Sequence, residues 1–329
     1  MLLNFPFWLT CLLLFLFAAF RRDVGADFHN YYNIFIEFGL DSAPFDFEPL
    51  NMLIIDAINY IGLTVYFIFF IYSMITLFSV YYFVVKLSDN QEVSLAIFFL
   101  TGMFYLSTLN GIRQWSALAL ILIAIVKFID RKLLTTFFVI ILASLFHKSA
   151  IIMLFLFFFN YRVDIKRIFL VTVCLLFLLK SITYVISISG YSRYLIEGLY
   201  TQSISTVLLL TYTAFLMVAP IVLGYFNKTI ILDRKITILI NMNFASILIL
   251  AFGFMSGMSA VSVMRMNMYF QMQVIVLIPL MLSKIQPVSL RKLAYILLLS
   301  SLSLLFFYTL IENGEIYKLT PYNTFLDTL

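Results

Sequence analysis

Long apolar runs dominate the chain, and short polar stretches interrupt them at intervals close to the width of a bilayer. A membrane span needs about 20 apolar residues. By that measure the runs predict spans over 2–20, 63–86, 92–107, 112–129, 133–146, 149–159, 167–188, 204–226, 236–256, 268–283 and 293–311. The run 133–159 is long for one span and short for two, and His147-Lys148-Ser149 interrupts it. That break predicts two short or tilted helices meeting there, with one long helix or a re-entrant pair as the alternatives. Residues 21–62 form the largest stretch that does not span. Within it Phe28, Tyr31, Tyr32, Ile34, Phe35 and Phe38 recur roughly as one helical face, which predicts a segment lying on the membrane interface. No internal repeat is evident, which argues mildly against a transporter built from inverted repeats.

Composition strengthens this picture. Of 329 residues, 64% are hydrophobic and 11% charged, against about 45–50% and about 25% in soluble domains. An ordinary cytosolic enzyme and a disordered chain are both excluded. The 37 Phe and 20 Tyr suit a lipid-facing surface with aromatic ends. The expected class is therefore an all-α, polytopic membrane protein of roughly ten or eleven helices, a single transmembrane domain over 1–329. Its first helix reads as retained, because residues 1–20 lack a basic start and a small-residue cleavage site. Cys11 and Cys174 lie in apolar runs and read as core packing.

The net charge of +5 comes from basic residues scattered at span boundaries, so it marks topology and not nucleic-acid binding. With the N-terminus cytoplasmic and the C-terminus outside, 13 of the 21 basic residues fall on the inner side. Arg21 and Arg22, outside and directly after the first helix, oppose that orientation. The acids are lopsided the other way, with 11 of 16 outside. Polar content thus concentrates on the outer face.

That face carries the candidate chemistry. Arg22, Arg113 and Arg265 stand near apolar helices on the side where cations are unexpected. Guanidinium forks match phosphate oxygens, so the three together suggest a shared anionic ligand. The bland alternative is that each pairs with a lipid head group or a nearby carboxylate. His147 can serve as a general base, or it is a histidine satisfied by a carbonyl at a helix break. His29 reads as an interfacial polar residue. Asp23, Asp27 and Glu48 adjoin apolar segments, where desolvation would raise a carboxyl pKa. Asp46-Phe47-Glu48 has a spacing that could hold a divalent cation, a weak signal, and no metal site is expected. Nucleotide-binding and G-x-S-x-G motifs are absent, so neither a cofactor nor a nucleotide is expected.

Several landmarks resemble one family. Arg22-x-x-Gly25-x-Asp27-Phe28-x-x-Tyr31, Glu48-Pro49, Asn110-x-Ile112-Arg113-Gln114, Phe146-His147-x-Ser149-Ala150, Arg265-x-x-x-Tyr269-Phe270 and Pro321-Tyr322 occur in order along nearly the whole chain. Together they resemble the EpsG-type polysaccharide polymerases, which group with the Wzy O-antigen polymerases. The resemblance implies a GT-C-like helical glycosyltransferase in a bacterial cytoplasmic membrane, with its active site facing the periplasm or exterior. Donor and acceptor would be oligosaccharide repeat units on undecaprenyl diphosphate. Membrane lipids are the other expected partners, with a chain-length regulator as a further candidate.

The implied reaction is a single inverting displacement. His147 would take the acceptor proton, with Asp27 or Glu48 as competing bases. Arg113 and Arg265, helped by Arg22, would stabilise the leaving diphosphate. Asn110, Gln114, Tyr31 and Tyr269 would support them. A flippase for the same lipid needs charges along the bundle midplane, which the apolar span interiors lack. A glycan ligase shares the donor and separates poorly by sequence. An acyltransferase leaves the arginines without a role.

Overall fold

In a computed structural model the described residues are 5–38, 47–102, 104–160, 233–255, 260–315 and 317–325. They are mostly helical, and their one sheet is a pair of two-residue strands. The chain divides into two compact units, residues 1–154 with 286–329, and residues 155–285.

In the first unit the helices are α1 (Phe5–Ala19), α2 (Phe28–Phe38), α3 (Pro49–Ile61), α4 (Tyr66–Leu87), α5 (Gln91–Leu100), α6 (Tyr105–Thr108), α7 (Ile112–Ile129) and α8 (Leu133–Ser144). A 3-10 helix, Lys148–Phe158, follows α8. Helix α7 is the hub and packs on both α4 and α8. Its Ala117, Ala119 and Ala124 are fully buried, and such small side chains let neighbouring backbones approach closely. Helix α1 packs on α4, burying Phe7, Cys11 and Leu14 while Leu12, Leu13 and Phe17 face outward.

The second unit contains α9 (Arg234–Met255), α10 (Ala260–Gln271) and α11 (Val274–Leu282). The long α12 (Val288–Asn313) returns to the first unit, and its membrane-length stretch is only 17% buried. Leu304 and Ile311 are among its most exposed side chains, as on a helix surrounded by lipid. Strand β1 (Arg21–Arg22) pairs antiparallel with β2 (Asn323–Thr324), tying the end of α1 to the C-terminal tail.

Among the described residues four helices are long and apolar enough to span, or five counting a bent pair. These are α4, α7, α9, α12 and the α10–α11 pair, and α7 matches the expected 112–129. Three expectations need correction. The span expected over 92–107 breaks into α5 and α6, because Thr101-Gly102 turns the chain and Gly102 takes φ +70°. The piece expected over 149–159 is 3-10 and not α. The span expected over 268–283 begins earlier and bends by 44° between α10 and α11. The predicted spans 167–188 and 204–226, and Cys174, lie outside the described residues.

The stretch 21–62 is partly built into the bundle. It carries β1, α2 and α3, and it buries Phe28, Ile55, Ile58 and Asn51 in the bundle. Burial of Phe28 is fixed by a stacked contact on Phe69 of α4, with centroids 4.4 Å apart.

Candidate functional site

The site forms where α3 begins. Pro49 occupies the first turn of α3, where its missing N–H costs nothing. Proline pushes the preceding residue out of the helical region, and Glu48 is extended at φ −68°, ψ 143°. Two bonds dock this start onto the end of α8. Leu50 N donates to Leu145 O at 3.3 Å, and Asn51 Nδ2 donates to Phe146 O at 2.9 Å. Tyr72 of α4 clamps the amide from behind, its hydroxyl donating to Asn51 Oδ1 at 2.6 Å. At the same joint α8 stops: His147 N still donates to Ala143 O, while His147 O already accepts from Ala150 N of the 3-10 turn. The polar break read at His147 is thus real, and it places the imidazole beside Glu48.

Glu48 is the centre. Its Oε1 lies 2.9 Å from His147 Nδ1. Its Oε2 accepts from Arg113 Nη1 at 2.7 Å and from Asn51 Nδ2 at 3.2 Å. The Arg113 guanidinium stacks over Phe47, 4.3 Å from the ring centroid, and hydrogen-bonds Tyr31. Burial alone would raise the Glu48 pKa, but hydrogen bonding from His147 and the Arg113 charge outweigh it and hold it at about 2. The expectation of a raised carboxyl pKa at Glu48 is therefore wrong: the hydrogen bond from His147 and the Arg113 charge win over desolvation. Burial raises Tyr31, keeping it neutral. With Glu48 ionised, His147 Nδ1 is the donor, and in a neutral imidazole Nε2 then carries the lone pair.

Arg113 already has a partner within the site. A carboxylate compensates it, as in the bland alternative. The start of α7 that carries it is held by Asn110, whose Oδ1 accepts from Ala26 N at 2.6 Å. Gly25 is required beside that contact. It has φ +98°, and a Cβ there would come within 2.2 Å of Leu109 O. Gln114 is buried in α7, and Asp27 lies near Tyr31.

Arg22 and Arg265 have different surroundings from Arg113. Arg22 pairs with Asp23 at 4.0 Å. Arg265 is an exposed residue of α10 in the second unit, where Tyr269 is buried. His29 is exposed as expected and approaches Asp23 at 3.3 Å. Asp46 lies outside the described residues, and Glu48 is committed to Arg113, Asn51 and His147. Among the described residues, no three His, Cys, Asp or Glu cluster as metal ligands.

Sequence reasoning missed three residues. Asn51 and Tyr72 look like ordinary positions on apolar helices. Arg21 hides behind Arg22. Its side chain is 1% exposed, donating through Nη1 to Ala18 O at 2.8 Å and lying 4.9 Å over Phe69. Tyr31, Tyr105 and Tyr322 stand around it. Burial draws its pKa down to about 10, so it is still a cation at neutral pH. The alternation of a strand is the missed signal: β1 points adjacent side chains to opposite faces, so only one of two arginines can be buried.

The fold and this cluster define a polytopic helical membrane protein in which a buried glutamate joins a histidine and an arginine. The chain belongs to the EpsG family, whose model matches residues 4–324. Membership suggests a polysaccharide polymerase-like role. No curated protein and no solved structure matches the chain.

Proposed function

We propose that this protein extends a polysaccharide by joining oligosaccharide repeat units carried on undecaprenyl diphosphate, at the outer face of a bacterial cytoplasmic membrane. The observation that carries the reading is Glu48 bound through one oxygen to His147 and through the other to Arg113. A carboxylate on Nδ1 fixes the imidazole tautomer and stabilises the imidazolium once it forms. His147 Nε2 then takes the proton of the acceptor hydroxyl. The hydroxyl oxygen bonds to the anomeric carbon of the donor, the bond from that carbon to the diphosphate oxygen breaks, and the configuration inverts. The leaving diphosphate takes the bonding electrons, and its added charge is stabilised by cations on the site, Arg113 first. Arg113 Nε has no partner and can donate. Glu48, ionised down to about pH 2, is a poor base and a good orienting group. Asp27 is the remaining competitor to His147, and Arg265 is a further candidate cation.

The test is the surface glycolipid of a deletion strain. A polymerase mutant caps its lipid with one repeat unit, and the wild-type gene restores the ladder. Units stranded on the inner leaflet would instead indicate a flippase. In a purified system, a ladder still attached to undecaprenyl diphosphate separates polymerase from ligase.

A further inference from the structure

We propose that Arg21 is an oxyanion-binding residue of this site, taking a phosphate group of the lipid-linked donor on its Nε/Nη2 edge. The inference rests on the donor class proposed above.

Three observations lead to it. Arg21 is among the largest fully buried side chains, and no described carboxylate pairs with it. Its one side-chain hydrogen bond uses Nη1, the nitrogen turned back to Ala18 at the end of α1. Nε and Nη2 are buried and have no hydrogen-bond partner. Those two nitrogens share the edge that presents parallel N–H groups, the edge that meets a phosphate or carboxylate with two bonds at once. The aromatic face of Phe69 supports the charge but offers no acceptor to that edge. The Tyr105 and Tyr322 hydroxyls are already turned to main-chain oxygens, Leu14 O and Phe17 O.

Arg21 also connects to the catalytic cluster. Tyr31 stands near Arg21 and hydrogen-bonds Arg113. One neutral phenol therefore lies near both the Arg21 guanidinium and the one paired with Glu48. The C-terminal tail covers the position: Thr324 pairs with Arg21 across the strands, Phe325 stacks on Tyr66, and Lys318 O accepts from Gly25 N.

The experiment measures binding of radiolabelled farnesyl diphosphate to the full-length protein in detergent, with inorganic pyrophosphate and phosphatidylglycerol as competitors. Arg21→Gln should weaken binding about ten- to a hundred-fold, the range expected for losing charge-assisted hydrogen bonds. Arg21→Lys should recover only part of it, because the charge remains and the fork does not. If Arg21→Gln aggregates, Arg21→Lys decides. Wild-type affinity in a monodisperse Arg21→Lys or Arg21→Gln protein overturns the assignment and leaves the polymerase reading intact. Competition by pyrophosphate supports a diphosphate group. Equal competition by phosphatidylglycerol makes the anion a bulk lipid head group and overturns the assignment. No binding to wild type removes the donor class as well. In wild type, the ligand should also change hydrogen exchange in peptides covering 17–25 and 317–325, and unchanged exchange in both counts against the proposal.

Discussion

Each unit buries a polar cluster in apolar helices, and the two are built from different chemistry. In the first unit the cluster is ionic: Glu48, Arg113 and His147, held by Asn51 and Tyr72. In the second it is neutral. Ser246 donates to Asn267 Oδ1 at 2.6 Å, Asn267 Nδ2 to Gln271 Oε1 at 3.1 Å, and Gln273 Nε2 to Asn243 Oδ1 at 3.1 Å. Amides crossing between helices serve as glue in a membrane, and each such bond contributes about 0.6 kcal/mol on average. Gln271 and Gln273 flank the bend between α10 and α11. A neutral network can hold a bend. It cannot move a proton or stabilise a departing phosphate. Charge is the more expensive thing to bury, and the molecule buries it where a reaction would use it.

The largest effect should come from Glu48→Gln. That change leaves Arg113 without its counter-charge and lets His147 choose either tautomer. Polymer formation should fall by about a thousand-fold or more. Thermal unfolding in detergent should show a loss of about 3 kcal/mol, the low end for breaking a buried ion pair. A Glu48→Gln protein that still builds full-length polymer would reduce the cluster to a structural ion pair.

His147→Ala should come next and should separate chemistry from stability. Chain growth should drop by about a hundred- to ten-thousand-fold. The melting temperature should stay close to wild type, because the imidazole is 28% exposed and Arg113 still compensates Glu48. Near-normal growth would transfer the base role to Asp27.

How much of this the sequence disclosed depends on the kind of signal. Span α7 was legible to the residue because apolar length is a one-dimensional property. So was the break at His147, where polar residues interrupt an apolar run. Glu48 and His147 were visible as candidates, but their contact was not: they are 99 residues apart, and only the docking of α3 on α8 joins them. Arg113 was legible as a costly cation, while its compensation by Glu48 needed the fold. Arg21 was misjudged for a local reason. Two adjacent arginines are equivalent in composition, and a two-residue strand decides which one is buried. The bend at Met272 was missed because hydropathy averages over a kink, and the 3-10 path of 148–158 was missed because its composition suits an α-helix equally well.

Acidification should sharpen the contrast between the units. Glu48 has a folded pKa of about 2 against an ordinary 4.5. A depressed carboxyl pKa stabilises the folded state fully above the unfolded value, and that contribution is lost as pH falls through the folded one. The wild-type melting temperature should therefore decline between pH 4.5 and pH 2. In Glu48→Gln this part of the decline should vanish. Substitutions in the neutral cluster should leave the slope unchanged, since none of its members titrates there.

The smallest effect should follow Asn267→Ala, and it tests the comparison from the other side. Asn267 accepts from Ser246 and donates to Gln271, so removing it takes the Asn267 donor from Gln271 Oε1 in a buried site. In water-soluble proteins an orphaned buried donor or acceptor costs about 1–3 kcal/mol. In a membrane the unfolded reference also finds partners, which brings the expected loss nearer 1 kcal/mol. Thermal unfolding should register that loss while polymer length and rate stay close to wild type, since the substitution touches no group of the ionic cluster. A large fall in polymerisation with a small fall in stability would mean that the amide band contacts sugar. The division of labour between an ionic site and a neutral brace would then have to be redrawn, with both clusters counted as part of the substrate path.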